Sequence, residues 1–131
     1  MALVRDSLAV GVVSAAQQNY DTSNKQNYSM PIVEVIVRVT AITTNVGVSV
    51  FTSLDAVNYV AAYVDAVPMT SAKARRIIFS AASAAGVPAE SATADSTITQ
   101  PPILEPFVRV QLNPSGSATA SVDVLYSDPS K

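Results

Sequence analysis

Apolar and polar residues alternate most regularly in two stretches of the chain. From Ile32 to Ile42 (IVEVIVRVTAI), Val33, Val35, Val37, Val39 and Ala41 fall on one face, and Glu34, Arg38 and Thr40 fall on the other among Ile32, Ile36 and Ile42. A period of two marks a strand with one buried side. Thr43–Asn45 is a turn signal, after which Val46, Val48, Val50 and Thr52 alternate with Gly47 and Ser49 up to Leu54. These two strands predict a β-hairpin. The second stretch closes the chain. Val108, Val110 and Leu112 alternate with Phe107, Arg109 and Gln111, and Asn113-Pro114-Ser115-Gly116 supplies a turn with Pro at its second position. Ala118, Ala120, Val122, Val124 and Tyr126 then line one face, predicting a second hairpin.

The remaining segments carry weaker patterns. Leu8–Ala15 is small and β-branched and reads as a strand, whereas Gln17–Ser29 is polar and aperiodic. The opening "MALVRDSLAVGVVSAA" has the outline of a secretion signal, but Asp6 cancels its positive end and the apolar core is short, so it is expected to be structural. Residues 54–65 suit either a turn followed by a strand or a helix capped by Ser53. Residues 72–85 suit either a strand through Ile77 and Phe79 or a helix capped by Ser71 and stopped at Gly86. From Ala82 to Pro106 an Ala/Ser/Thr/Pro-rich tract shows neither period. Many short strands punctuated by turns predict a mostly-β chain, an antiparallel β-sandwich or jelly roll with long loops; the alternative is an α+β fold with helices near 54–65 and 72–85. One domain is expected over residues 1–131, with an N-terminal segment 1–30 and an insertion 82–106.

Composition narrows the chemistry. The 131 residues include no Cys, His or Trp, which removes thiolate and imidazole metal ligands, the commonest general base and the usual nucleophile–base pairs. The four glycines are isolated and form no phosphate loop, and the ten carboxylates are scattered singly. No enzymatic activity, metal or cofactor is expected. Charged residues are only 14% of the chain, against about 25% in an ordinary soluble domain. So little charge suggests that much of the surface is covered by copies of the chain or by a larger assembly. The net charge of −2 argues against a nucleic-acid partner, the one basic cluster being Lys73, Arg75 and Arg76. No apolar run is long enough for a membrane helix.

Pro31–Thr40 (PIVEVIVRVT) is echoed by Pro102–Gln111 (PILEPFVRVQ), with Glu34/Glu105 and Arg38/Arg109 at matching places. Glu34 and Arg38 stand roughly 13 Å apart along one strand and cannot pair with each other. If the two strands were antiparallel neighbours, Glu34 would face Arg109 and Arg38 would face Glu105, fixing the register. Tyr20 and Tyr28, in the polar segment, are candidate contacts with a partner protein or a glycan.

Two further motifs carry a resemblance. "VSVFTSLDAVNYVAAYVDA", Val48–Ala66, contains Ser53-Leu54-Asp55-Ala56-Val57-Asn58-Tyr59, similar to a Ser-x-Asp-Gly-x-Asn/Thr-Trp turn, with Ala56 where the pattern has Gly and Tyr59 where it has Trp. "FVRVQLNPSGSATASVDVLYS" is similar to a closing strand–turn–strand unit, and "IVEVIVRVTAI" fits in front. Over about two thirds of its length the chain resembles small β-sandwich or jelly-roll structural proteins of tailed bacteriophages, most of all capsid decoration (cement) proteins. The resemblance implies a virion structural protein at the capsid surface that binds the major capsid protein, stabilises the head and forms a homo-oligomer, a trimer being favoured. Tyr20, Tyr28, Arg75, Arg76, Pro101 and Pro102 are the expected capsid or subunit contacts. A tail or head–tail component and a glycan-binding module are the alternatives.

Overall fold

In the computed structural model the described residues are 2–13, 18–21, 32–80, 93–101, 103 and 107–128. They form nine strands and no helix: β1 (Ala2–Val13), β2 (Gln18–Asp21), β3 (Ile32–Ile42), β4 (Val46–Ser53), β5 (Val60–Val64), β6 (Ala74–Ser80), β7 (Ser96–Gln100), β8 (Phe107–Pro114) and β9 (Ala118–Asp128). The helical alternative is therefore corrected. Within 54–65 a turn leads into β5, and within 72–85 the described residues, 72–80, contain β6 and no helix. The helix preference of Ala is an intrinsic propensity that tertiary packing overrides, and the β-branched and aromatic residues of these segments pack better on a pleated surface.

The strands make two sheets, in the orders β1-β9-β3-β6-β7 and β2-β8-β4-β5. Apart from β7, the strands form one long antiparallel ribbon folded back on itself. Strands β1, β2, β3 and β4 pair with β9, β8, β6 and β5 respectively. The ribbon wraps until β3 meets β9 and β4 meets β8. This is the strand order of a jelly-roll sandwich.

That wrapping overturns both predicted hairpins. Strands β3 and β4 lie in different sheets, as do β8 and β9, so each intervening turn is a crossing from one sheet to the other. Alternation marks a half-buried strand but says nothing about which sheet receives the next one. The two crossings are bonded to each other: the Thr43 N–H and hydroxyl both donate to the Ser117 carbonyl, at 3.1 and 3.0 Å, and the Ser115 N–H donates to the Asn45 carbonyl at 3.0 Å. Gly116 sits in this contact, where a Cβ would come within 2.2 Å of the Thr43 hydroxyl oxygen.

The alternating positions do form the core. Val35, Val37 and Val39 of β3, Val46, Val48 and Val50 of β4, Val108, Val110 and Leu112 of β8, and Ala118, Ala120, Val122 and Val124 of β9 are buried together with Ile77, Phe79 and Ile98. Two strands arise where no period was visible. Strand β2 lies at the start of the polar segment and is held on β8 by backbone pairing, with Tyr20 half-buried against the core. Strand β7 lies inside the Ala/Ser/Thr/Pro-rich tract, parallel to β6, and buries Ser96 and Ile98. An edge strand of four or five residues needs only one or two inward side chains, too few to establish a pattern.

Candidate functional site

The turn between β4 and β5 is organised by one carboxylate. Asp55 Oδ1 accepts from the Ser53 hydroxyl at 2.8 Å and from the N–H groups of Val57 and Asn58 at 2.9 and 2.8 Å, while Oδ2 accepts from Asn58 Nδ2 at 2.9 Å. The Ser53 hydroxyl oxygen in turn accepts from the Asp55 and Ala56 N–H groups. The Asn58 and Val57 N–H groups, followed by the Ser53 and Asn58 side chains, hold the Asp55 carboxyl well below the usual carboxylate range. Ala56 adopts φ 62°, the left-handed region that favours glycine. The tight turn therefore forms with Ala in the glycine position.

This turn presents apolar side chains to solvent. Leu54 and Val57 are 67% and 76% exposed on it, and Val60 and Val64 are exposed on β5, an edge strand of the four-stranded sheet. Val67 continues the series. These five are the large exposed hydrophobic residues among those described, and they fall within 14 consecutive positions, 54 to 67. A cavity of about 190 Å³ lined by Thr52, Ser53, Leu54, Asp55, Asn58 and Val60 lies beside them. β5 itself (VAAYV) carries no Lys and no Pro, the residues that usually blunt a sheet edge. Exposed apolar residues concentrated in one short stretch suit a surface where proteins meet.

The basic cluster of the sequence is split by the period of β6. Arg75 points inward and is fully buried, so it is not a rim contact with any partner. Its guanidinium pairs with Asp65, donates to the Val67 carbonyl at 2.8 Å, and reaches the Ser96 hydroxyl at 3.1 Å. Asp65 also accepts from the Tyr63 hydroxyl at 2.5 Å and the Val48 N–H at 2.9 Å. Burial pushes the Asp65 carboxyl up from its ordinary value, and the Tyr63, Val48 and Arg75 donors oppose the shift. The cluster joins the two sheets through a buried ion pair. Arg76 points outward, exposed, and pairs with Glu34. Pro101 is exposed just after β7, while Tyr28, Pro102 and Glu105 lie outside the described residues.

The proposed register between the echoed strands does not occur. β3 and β8 belong to different sheets, Glu34 pairs with Arg76, and Arg109 pairs with Asp21 at 2.7 and 3.0 Å while lying 3.9 Å over the Tyr59 ring. The likeness has another cause. Each echoed strand leads into a crossing turn and pairs with the strand that follows the other's crossing, β3 with β9 and β8 with β4. Equivalent places in the wrapped ribbon need the same buried valines. The Asp21–Arg109–Tyr59 group was not visible in the sequence, because its members are up to 88 positions apart and Asp21 lies in the aperiodic segment.

Among the described residues no His, Cys, Asp or Glu cluster could hold a metal ion, and no helix is long and apolar enough to cross a membrane. No protein-family model matches the chain. No curated protein sequence matches it. Among solved structures, the chain is similar to one in a structure of infectious bursal disease virus, Gx strain, at 13% identity and a TM-score of 0.29. The match covers 95% of this chain and 28% of that one, so the present chain spans little more than a quarter of its length.

Proposed function

We propose that the chain is a non-enzymatic structural protein of a virus particle: a capsid decoration protein that binds the outer capsid surface as a homo-oligomer and braces the major capsid protein. The observation that carries this reading is the exposed apolar series Leu54, Val57, Val60, Val64 and Val67, on the turn before the edge strand β5, on β5 itself and just after it. A chain with 14% charged residues that spends its apolar surplus on one rigid turn and one uncapped sheet edge is suited to docking against other subunits. The jelly roll is also an architecture of viral capsid domains. The resemblance of the Ser53–Tyr59 turn and the closing strands to phage structural proteins supports the same reading.

The test is co-sedimentation with expanded capsids that lack the protein. Saturable binding is expected, with capsids that release their genome at a higher temperature once decorated. Failure to bind capsids, combined with retention on an immobilised glycan, would instead favour a glycan-binding module. Binding to isolated tails and not to heads would place the protein in the tail.

A further inference from the structure

Three of the arginines among the described residues are neutralised where they stand. Arg75, Arg76 and Arg109 pair with Asp65, Glu34 and Asp21. Two other cations, Arg38 and Lys73, have no such partner among the described residues, and they are neighbours. Arg38 is on the outer face of β3, opposite Ala74 in the β3–β6 register, and the Val39 N–H donates to the Lys73 carbonyl at 2.9 Å. Both side chains line one cavity of about 350 Å³, with Thr40, Ala72 and Asp95 among its other walls. Asp95 is bound to the backbone instead, accepting from the Ala74 N–H at 2.9 Å.

The local surplus of positive charge is unexpected in a chain that has ten carboxylates and eight cations. Both side chains are exposed, and neither makes an ion pair with another described residue. A guanidinium fork beside a compact ammonium charge suits a carboxylate, which can take two hydrogen bonds from the first and a point attraction from the second. A nucleic acid fits less well. Phosphate tracking needs a basic stripe, and here there are two cations with Asp95 lining the same cavity. We propose that Arg38 and Lys73 form a docking site for an acidic segment of a partner protein. The cavity is built from the five-stranded sheet, whereas the apolar edge belongs to the four-stranded one, so this site and the decoration reading can fail separately.

The experiment is a titration of the ¹⁵N-labelled chain with a hexaglutamate peptide at low salt. Saturable shifts are expected at the Arg38 side-chain N–H and at the backbone amides of Val39, Lys73 and Ala74. Raising NaCl from about 20 mM to about 0.2 M should weaken binding several-fold. Arg38→Gln/Lys73→Gln should abolish the shifts while leaving the melting temperature unchanged, and Asp95→Asn, which removes the opposing charge, should tighten binding. The proposal is overturned by an absence of shifts at millimolar peptide, by shifts at Arg76 and Arg109 instead, by undiminished binding in the double variant, or by weaker binding in Asp95→Asn. Tighter binding of a thymidine hexanucleotide than of the peptide would also overturn it and assign the site to nucleic acid.

Discussion

Two adjacent residues set the geometry of the exposed turn. Ala56 sits at φ 62°, where a Cβ costs roughly 1–2 kcal/mol relative to the right-handed region. Glycine removes that cost but makes the unfolded chain freer by about 0.4–1 kcal/mol. Ala56→Gly should therefore raise stability by about 0.5 kcal/mol, seen as a higher urea midpoint at unchanged slope; a fall would show that the left-handed conformation is not strained here. Asp55 acts through its charge. Its folded-state pKa is depressed by the donors around it, so the stability it contributes is present above the unfolded value, about 4, and is lost as pH falls from there toward the lower folded value. Asp55→Asn should be less stable than the parent at pH 7, and the gap should narrow as pH falls below about 4. A gap independent of pH would remove the carboxylate's charge from the explanation. The Ser-x-Asp-x-x-Asn spacing made this turn legible in the sequence, because each residue bonds within five positions of itself.

Between elements, one link is the inward arginine of β6. Arg75 and Asp65 have side-chain exposures of 0% and 3%, so removing one partner strands the other charge in the interior. Arg75→Met should cost about 3–5 kcal/mol. The loss should be greater at pH 7 than at pH 4. A buried carboxylate with a raised pKa is most stable below its unfolded value and loses stability as pH rises through its folded one. Adding Asp65→Asn to Arg75→Met should restore part of the loss in urea unfolding, and a purely additive double variant would show that the two side chains do not act together. The crossing turns make a second link. Gly116→Ala drives a methyl group against Thr43 and should break the hydroxyl bond to the Ser117 carbonyl, costing about 1 kcal/mol. Thr43→Ala/Gly116→Ala should cost less than the sum of its parts. Neither link was legible in the sequence. Lys73, Arg75 and Arg76 read as one basic patch until the period of β6 sends Arg75 inward and Arg76 outward. The alternating runs identified the buried valines correctly, yet both apparent hairpins were crossings, because pairing partners are chosen by the wrapping of the whole ribbon.

At the scale of the molecule, a jelly roll leaves the edges of its two sheets to be covered or blunted. In the four-stranded sheet, β5 is an outer strand whose five residues are uncharged, and the apolar side chains around it extend onto the Asp55 turn. Leu54, Val57 and Val64 are 67%, 76% and 60% exposed, so shortening them removes little buried area. The variant Leu54→Ser/Val57→Ser/Val64→Thr should unfold within about 0.5 kcal/mol of the parent, the usual range for surface positions. Its association should change far more. A docking edge loses its apolar contact area on this substitution, while the Asp55 hydrogen bonds that shape the turn remain. Sedimentation velocity at rising concentration should show the parent as an oligomer and the variant shifted toward monomer, with capsid binding reduced in parallel. Thr97→Lys, at an exposed position of β7 in the other sheet, is the control and should leave association unchanged. If the triple variant assembles like the parent while the control dissociates, the interface lies on the five-stranded sheet and the exposed valines of β5 are not its basis.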